Sequence, residues 1–143
     1  MSLDSRAPNI WVRALILCDD VRFELGGTTT LVGVYGDRIV VAATDGELVI
    51  PRLVIYSVVA GLTGATEITW RHTLRQQDRE FGDVIAHGHE PHDATADEHR
   101  FVNIVSPLWL PEAGSYRLAV DFETSQAFRT VEHQVIVERA PAQ

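Results

Sequence analysis

The 143-residue chain carries 12 basic residues, every one an arginine, against 20 carboxylates, for a formal net charge of −8 at pH 7. Without lysine there is no Schiff-base nitrogen, no pyridoxal-phosphate anchor and no Walker-type phosphate loop. An acidic chain without basic runs is also a poor ligand for nucleic-acid backbones or anionic membrane surfaces.

Val, Ile and Thr together number 37 against 12 Leu, and side chains branched at Cβ favour pleated sheet over helix. Ile10 to Cys18 reads as a buried strand that Asp19-Asp20 stops. Val21, Phe23 and Leu25 alternate with Arg22 and Glu24, and Gly26-Gly27 supplies the hairpin that leads to a return strand over Thr28 to Tyr35. Arg38 to Ala43 continues it past a bend at Gly36-Asp37, and Thr44 to Glu47 is a second turn. Leu48 to Ala60 is the most apolar run, with Pro51 placing a strand start or an edge there. Thr66 to Arg75 alternates most cleanly, setting Ile68, Trp70, His72 and Leu74 on one face.

Gln76 to Glu80 is a polar turn, Phe81 to Ala86 a short strand, and His87 to Arg100 a polar, histidine-rich loop. Strands resume at Phe101 to Val105, over Tyr116 to Phe122 and over Phe128 to Val137, with Leu108-Trp109-Leu110 as an apolar bridge between prolines. Eight or nine short strands with regular turn signals imply an all-β, antiparallel β-sandwich, immunoglobulin-like in the broad sense. Pro111 to Tyr116 resembles the approach to a late strand in such domains, where a tyrosine hydroxyl folds back onto the backbone. The reading is a single domain over residues 9–138, with short tails at 1–8 and 139–143.

No apolar stretch reaches the ~18 residues of a membrane helix, no secretory signal is read at the N-terminus, and the single cysteine, Cys18, has no internal disulfide partner. These features point to the cytoplasm. Cys18 reads as a small buried thiol, because Asp19 and Asp20 beside it raise the pKa that a nucleophile needs lowered. The acidic residues near the first turns (Asp19, Asp20, Glu24, Asp37, Asp45 and Glu47) suit turn chemistry better than a calcium loop.

One cluster stands out. His87-Gly88-His89-Glu90-Pro91-His92-Asp93 holds three imidazoles and two carboxylates, with His99 beyond. On an extended segment residues two apart face alike, so His87 and His89 form half of a divalent-metal shell, to be completed by His92 or Asp93. The spacing partly resembles the first metal motif of cupins, without the second. The competing reading is a solvated loop whose imidazoles titrate near neutrality. His72 and His133 read as hydrogen-bonded residues of apolar strand faces, and Arg71, Arg75 and Arg79 as a modest basic stripe.

Leu17-Cys18-Asp19-Asp20-Val21-Arg22-x-Glu24, a glycine turn, and Leu31-Val32-Gly33-Val34-Tyr35-Gly36-Asp37 follow a pattern C-D-D-[VI]-R-x-E … L-[IV]-G-[VI]-Y, with Pro51 and Leu53 downstream. That pattern resembles the N-terminal signature of a family of small uncharacterised bacterial proteins. The resemblance implies a recurring β-fold and a bacterial source, and lends no catalytic residues.

The sequence therefore leads to a non-catalytic binding or assembly module without a cofactor, self-associating or binding another protein, with Trp109 and Trp11 as candidate partner-surface residues. The alternative is a metal-binding protein or metal-dependent enzyme built on His87, His89, His92 and Asp93.

Overall fold

The computed structural model describes residues 9–42 and 46–141. The expected tail at 1–8, Ala43, and the Thr44 and Asp45 positions of the second turn lie outside the described residues. Eleven strands are present among those described: β1 (Trp11–Phe23), β2 (Thr29–Tyr35), β3 (Arg38–Val41), β4 (Leu48–Ile50), β5 (Leu53–Ala60), β6 (Glu67–Gln76), β7 (Asp83–Pro91), β8 (His99–Val105), β9 (Leu108–Leu110), β10 (Gly114–Glu123) and β11 (Phe128–Arg139).

They form a β-sandwich of immunoglobulin-like type. A four-stranded sheet in the order β2-β1-β5-β8 faces a five-stranded sheet in the order β3-β11-β10-β6-β7, and β4 pairs with β9 in a small third sheet. All pairings are antiparallel except β3 on β11, where Ile136 to Arg139 run parallel to Arg38 to Val41.

The alternating strands bury one face each. On β10, Tyr116, Leu118, Val120 and Phe122 are buried, and Ile68 and His72 of β6 are as well. The rings of Phe101 on β8 and Phe122 on β10 stack with centroids 5.1 Å apart, joining the two large sheets at the centre of the core. Leu48, Ile50, Leu108 and Leu110 bring the β4–β9 pair into the same cluster.

β5 behaves differently. Leu53, Ile55 and Val59 line the inter-sheet core, yet Val54, Tyr56 and Ala60, which alternate to the other face, are buried too. Cys18, paired with Val54 across the ladder, is equally buried. Two polar contacts tie the β1–β2 hairpin to that side of the sheet. The Arg52 guanidinium donates to Asp20 Oδ1 at 3.0 Å, and Arg100 on β8 reaches Thr29 Oγ1 at 3.4 Å. The hairpin therefore turns back over the sheet that its base belongs to.

Two expectations are corrected. Asp19-Asp20 does not end the first strand: β1 runs through it and changes partner there, pairing with β5 up to Cys18 and with β2 from Leu17 to Phe23. The long apolar run divides at Pro51, as expected of a residue that cannot donate to a ladder, and Leu48 to Ile50 pairs with β9. The segment from His87 to Arg100 is half strand, since β7 continues to Pro91 and β8 starts at His99. The additional short strands and these divisions raise the count from eight or nine to eleven.

The tyrosine step before β10 forms as expected, the Tyr116 hydroxyl donating to the Glu112 carbonyl at 2.6 Å. Tyr116→Phe removes that donor and leaves the carbonyl without it, so urea unfolding should show a loss of about 1 kcal/mol. An unchanged unfolding midpoint would mean that the corner contributes nothing.

Candidate functional site

β7 lies at the edge of the five-stranded sheet and pairs only with β6, with His87 opposite Arg71 and His89 opposite Thr69. Both imidazoles are exposed on the sheet's outer face. They border an open groove of about 640 Å³ shared with Arg71, Asp121, Glu123 and Phe128. His89 Nε2 stands 4.0 Å from Glu67 Oε1.

His92 goes elsewhere. It is buried, and its Nε2–H donates to the Ala96 carbonyl at 2.8 Å. Asp93 closes the following turn, its Oδ1 accepting from the Thr95 amide at 2.9 Å and from the Thr95 hydroxyl at 2.7 Å. Those bonds hold the Asp93 carboxyl below the usual carboxylate range. The four residues singled out as metal ligands thus divide between the outer sheet face and a closed turn. Among the described residues no group of three or more His, Cys, Asp or Glu side chains is placed to hold a metal ion.

A different histidine constellation does form. His92 Nδ1 lies 3.0 Å from His99 Nδ1, and His99 Nε2 lies 2.6 Å from Glu90 Oε2. Because a carbonyl only accepts, His92 donates from Nε2, and His99 lies between His92 and the Glu90 carboxylate with one ring nitrogen toward each. The aromatic face of His99 stacks on Phe101, centroids 4.5 Å apart. Glu90 belongs to β7 and His99 to β8, so this relay clasps one large sheet to the other where no backbone ladder joins them. Sequence reasoning grouped His92 with His87 and His89 and left His99 aside. The available signal was the turn at Asp93 to Ala96, which folds His92 and His99 onto each other.

His72 is fully buried between Trp70 and Phe122, its Nε2 at 2.8 Å from Asn103 Oδ1. Its Nδ1, like Trp70 Nε1 and Ser57 Oγ, has no hydrogen-bond partner among the described residues. Burial lowers its pKa against the opposing hydrogen bond from Asn103. His133 is half-buried on the inner row of β11, between Val131 and Val135.

The residues of the N-terminal pattern interlock at the base of the β1–β2 hairpin. Gly33 takes a left-handed backbone, φ +64°, and Asp19 lies over it where any Cβ would collide. The Tyr35 hydroxyl donates to Asp19 Oδ1. Burial, together with that carboxylate, pushes the Tyr35 phenol up to about 12. Burial also raises the Cys18 thiol, and the Asp19 charge adds to this against a hydrogen bond from the Asp20 backbone. This removes Cys18 from consideration as a nucleophile.

The two tryptophans proposed for a partner surface stand outside the core. Trp11 is 46% exposed and Trp109 61% exposed, whereas Leu108 and Leu110 on either side of Trp109 are buried. Across from Trp109, Phe81 is 81% exposed. Between them runs an open groove of about 420 Å³, lined also by Ile85, Leu108 and Pro111. Arg75 is engaged within the adjoining turn, donating to the carbonyls of Gln77 at 3.4 Å and Arg79 at 3.1 Å.

No family model matches the chain, and no curated protein does. Among solved structures it is similar to a Bacteroides uniformis beta-glucuronidase 2 covalently bound to cyclophellitol-6-carboxylate aziridine, with 14% identity over 65% of this chain and a TM-score of 0.47. The chain spans 12% of that protein's length.

The buried His72 makes a pH prediction. Its folded pKa lies below the ordinary 6.5, so the stability it confers is fully present above 6.5 and is lost as pH falls through the folded value. Urea unfolding from neutral to mildly acid pH should show His72→Gln, which keeps a donor for Asn103, with a shallower slope than the parent. The limit for one proton is about 1.4 kcal/mol per pH unit. Parallel slopes would show that His72 does not titrate on unfolding.

Proposed function

We propose that the chain is a non-catalytic protein-binding module whose partner inserts apolar side chains between Phe81 and Trp109. The observation that carries this reading is the exposure of Trp109. A three-residue strand buries Leu108 and Leu110 and presents a tryptophan to solvent beside a second exposed aromatic. Large aromatic side chains at the centre of a concave surface dominate protein–protein binding energies.

The setting favours an extended partner segment. The groove borders the start of β7, whose outer edge meets no other strand among the described residues, so backbone groups there are offered for strand addition beside a pocket for side chains. The charged residues that line the groove are Arg75, Arg79 and Asp83, of both signs. Apolar contact with Phe81, Trp109 and Pro111 therefore selects the segment more than its charge does. The finer parts of the reading, a bacterial source suggested by the N-terminal pattern and a reducing cytoplasm suited to the buried, unpaired Cys18, belong to the same proposal.

A displayed library of short linear peptides, panned on the protein and counter-selected on Trp109→Ala, tests it. The expected result is enrichment of peptides rich in apolar residues that lose binding at least tenfold, about 1.4 kcal/mol, on Trp109→Ala and on Phe81→Ala. Enrichment that is indifferent to both substitutions would remove the groove as the binding surface.

A further inference from the structure

The outer face of the five-stranded sheet carries two cross-strand rows that run over β7, β6, β10 and β11. The ladder register sets His87, Arg71, Asp121 and Thr130 side by side in one row, and His89, Thr69, Glu123 and Phe128 in the next. Rows two residues apart along a strand stand about 7 Å from each other, and four strands span about 14 Å. All of these residues but Thr130 line the open groove of about 640 Å³, a volume within the ~300–1,000 Å³ of small-ligand sites.

Few of the polar groups in these rows are engaged with one another. Asp121 Oδ1 accepts from the Thr130 hydroxyl at 2.7 Å, and His89 Nε2 stands 4.0 Å from Glu67 Oε1. Arg71, His87 and Glu123 make no side-chain hydrogen bond or ion pair among the described residues. Donors such as the Arg71 guanidinium and acceptors such as the Asp121 and Glu123 carboxylates therefore alternate within a few ångströms. That pattern matches a ligand whose own donors and acceptors alternate, as hydroxyl groups do. The mixed signs, on a chain of −8, select against an acidic ligand.

We propose that this face binds a polyhydroxylated ligand, a short neutral oligosaccharide. Phe128, 60% exposed at the end of its row, offers a ring whose negative face attracts the C–H groups of a sugar. Arg71, Asp121 and Glu123 then take its hydroxyls. An extended peptide fits less well. β6 and β10 form the floor and are paired on both sides, so no backbone edge is open there for strand addition. The exposed apolar side chains, Phe128 and Val84, stand on the outer strands β11 and β7 rather than in the floor. This face is separate from the Phe81–Trp109 groove and does not depend on it.

Titration calorimetry with a panel of neutral gluco-, manno-, galacto- and xylo-oligosaccharides, and with oligogalacturonides as the acidic counterpart, reads the outcome. At least one neutral member should bind with millimolar or tighter affinity, and the acidic set should not. Phe128→Ala and Arg71→Ala, both at exposed positions, should each weaken that binding at least tenfold with unchanged circular dichroism. Trp109→Ala should leave it unchanged. No binding across the neutral panel, a preference for the oligogalacturonides, binding that both variants retain, or binding lost on Trp109→Ala would overturn the proposal.

Discussion

The fold depends on β5 being covered on both faces. Strands of a two-layer sandwich ordinarily bury one row of side chains and leave the other in water, which gives alternation. β5 buries nearly every residue from Leu53 to Ala60, so one opposing sheet is not enough. Its inner row meets β10 and β6 across the core, and its outer row requires a second cover. We assign that cover to the β1–β2 hairpin, tied to this side of the sheet by Arg52 on Asp20 and Arg100 on Thr29. The interlock of Asp19, Gly33 and Tyr35 then has a clear physical purpose: it shapes the hairpin at the point where β1 leaves β5 and continues with β2 alone.

Much of this was legible in the chain. An apolar run that does not alternate already signals a strand without a wet face, and the Gly26-Gly27 turn, the clean alternation of β6 and the Tyr116 corner all stand where the residues placed them. What misled was punctuation with two meanings. A pair of aspartates reads as a strand stop, yet here Asp20 answers an arginine from the neighbouring loop and Asp19 a tyrosine from the partner strand. Gly88 reads as a loop residue, yet it sits in β7 because the Trp70 indole occupies the space that its side chain would need. Both compensations come from residues distant in sequence, which local pattern does not contain.

The histidines show the same division. Alternation correctly put His87 and His89 on one face, but the third ligand expected from proximity in sequence was drawn into a turn. His92 instead completes a hydrogen-bonded chain with His99 and Glu90 that fastens the edges of the two sheets together. Conversely, Trp109 lies between two buried leucines and faces outward by strand geometry alone. Its exposure, with that of Phe81, is what turns a complete sandwich into a surface with something left to bind. The core closes without either aromatic, so both are available at the perimeter.

The central structural claim, that the hairpin seals the outward face of β5, has a direct probe in the chain's single cysteine. Cys18 lies on that face and is fully buried. The rate at which native protein reacts with a small aromatic disulfide reagent compares its protection with that of the unfolded chain. The account predicts labelling at the slow rate of hairpin opening or global unfolding, and complete reaction once urea unfolds the protein. Labelling of the native protein at the rate of the unfolded chain would contradict it, because the outward face of β5 would then be open to solvent.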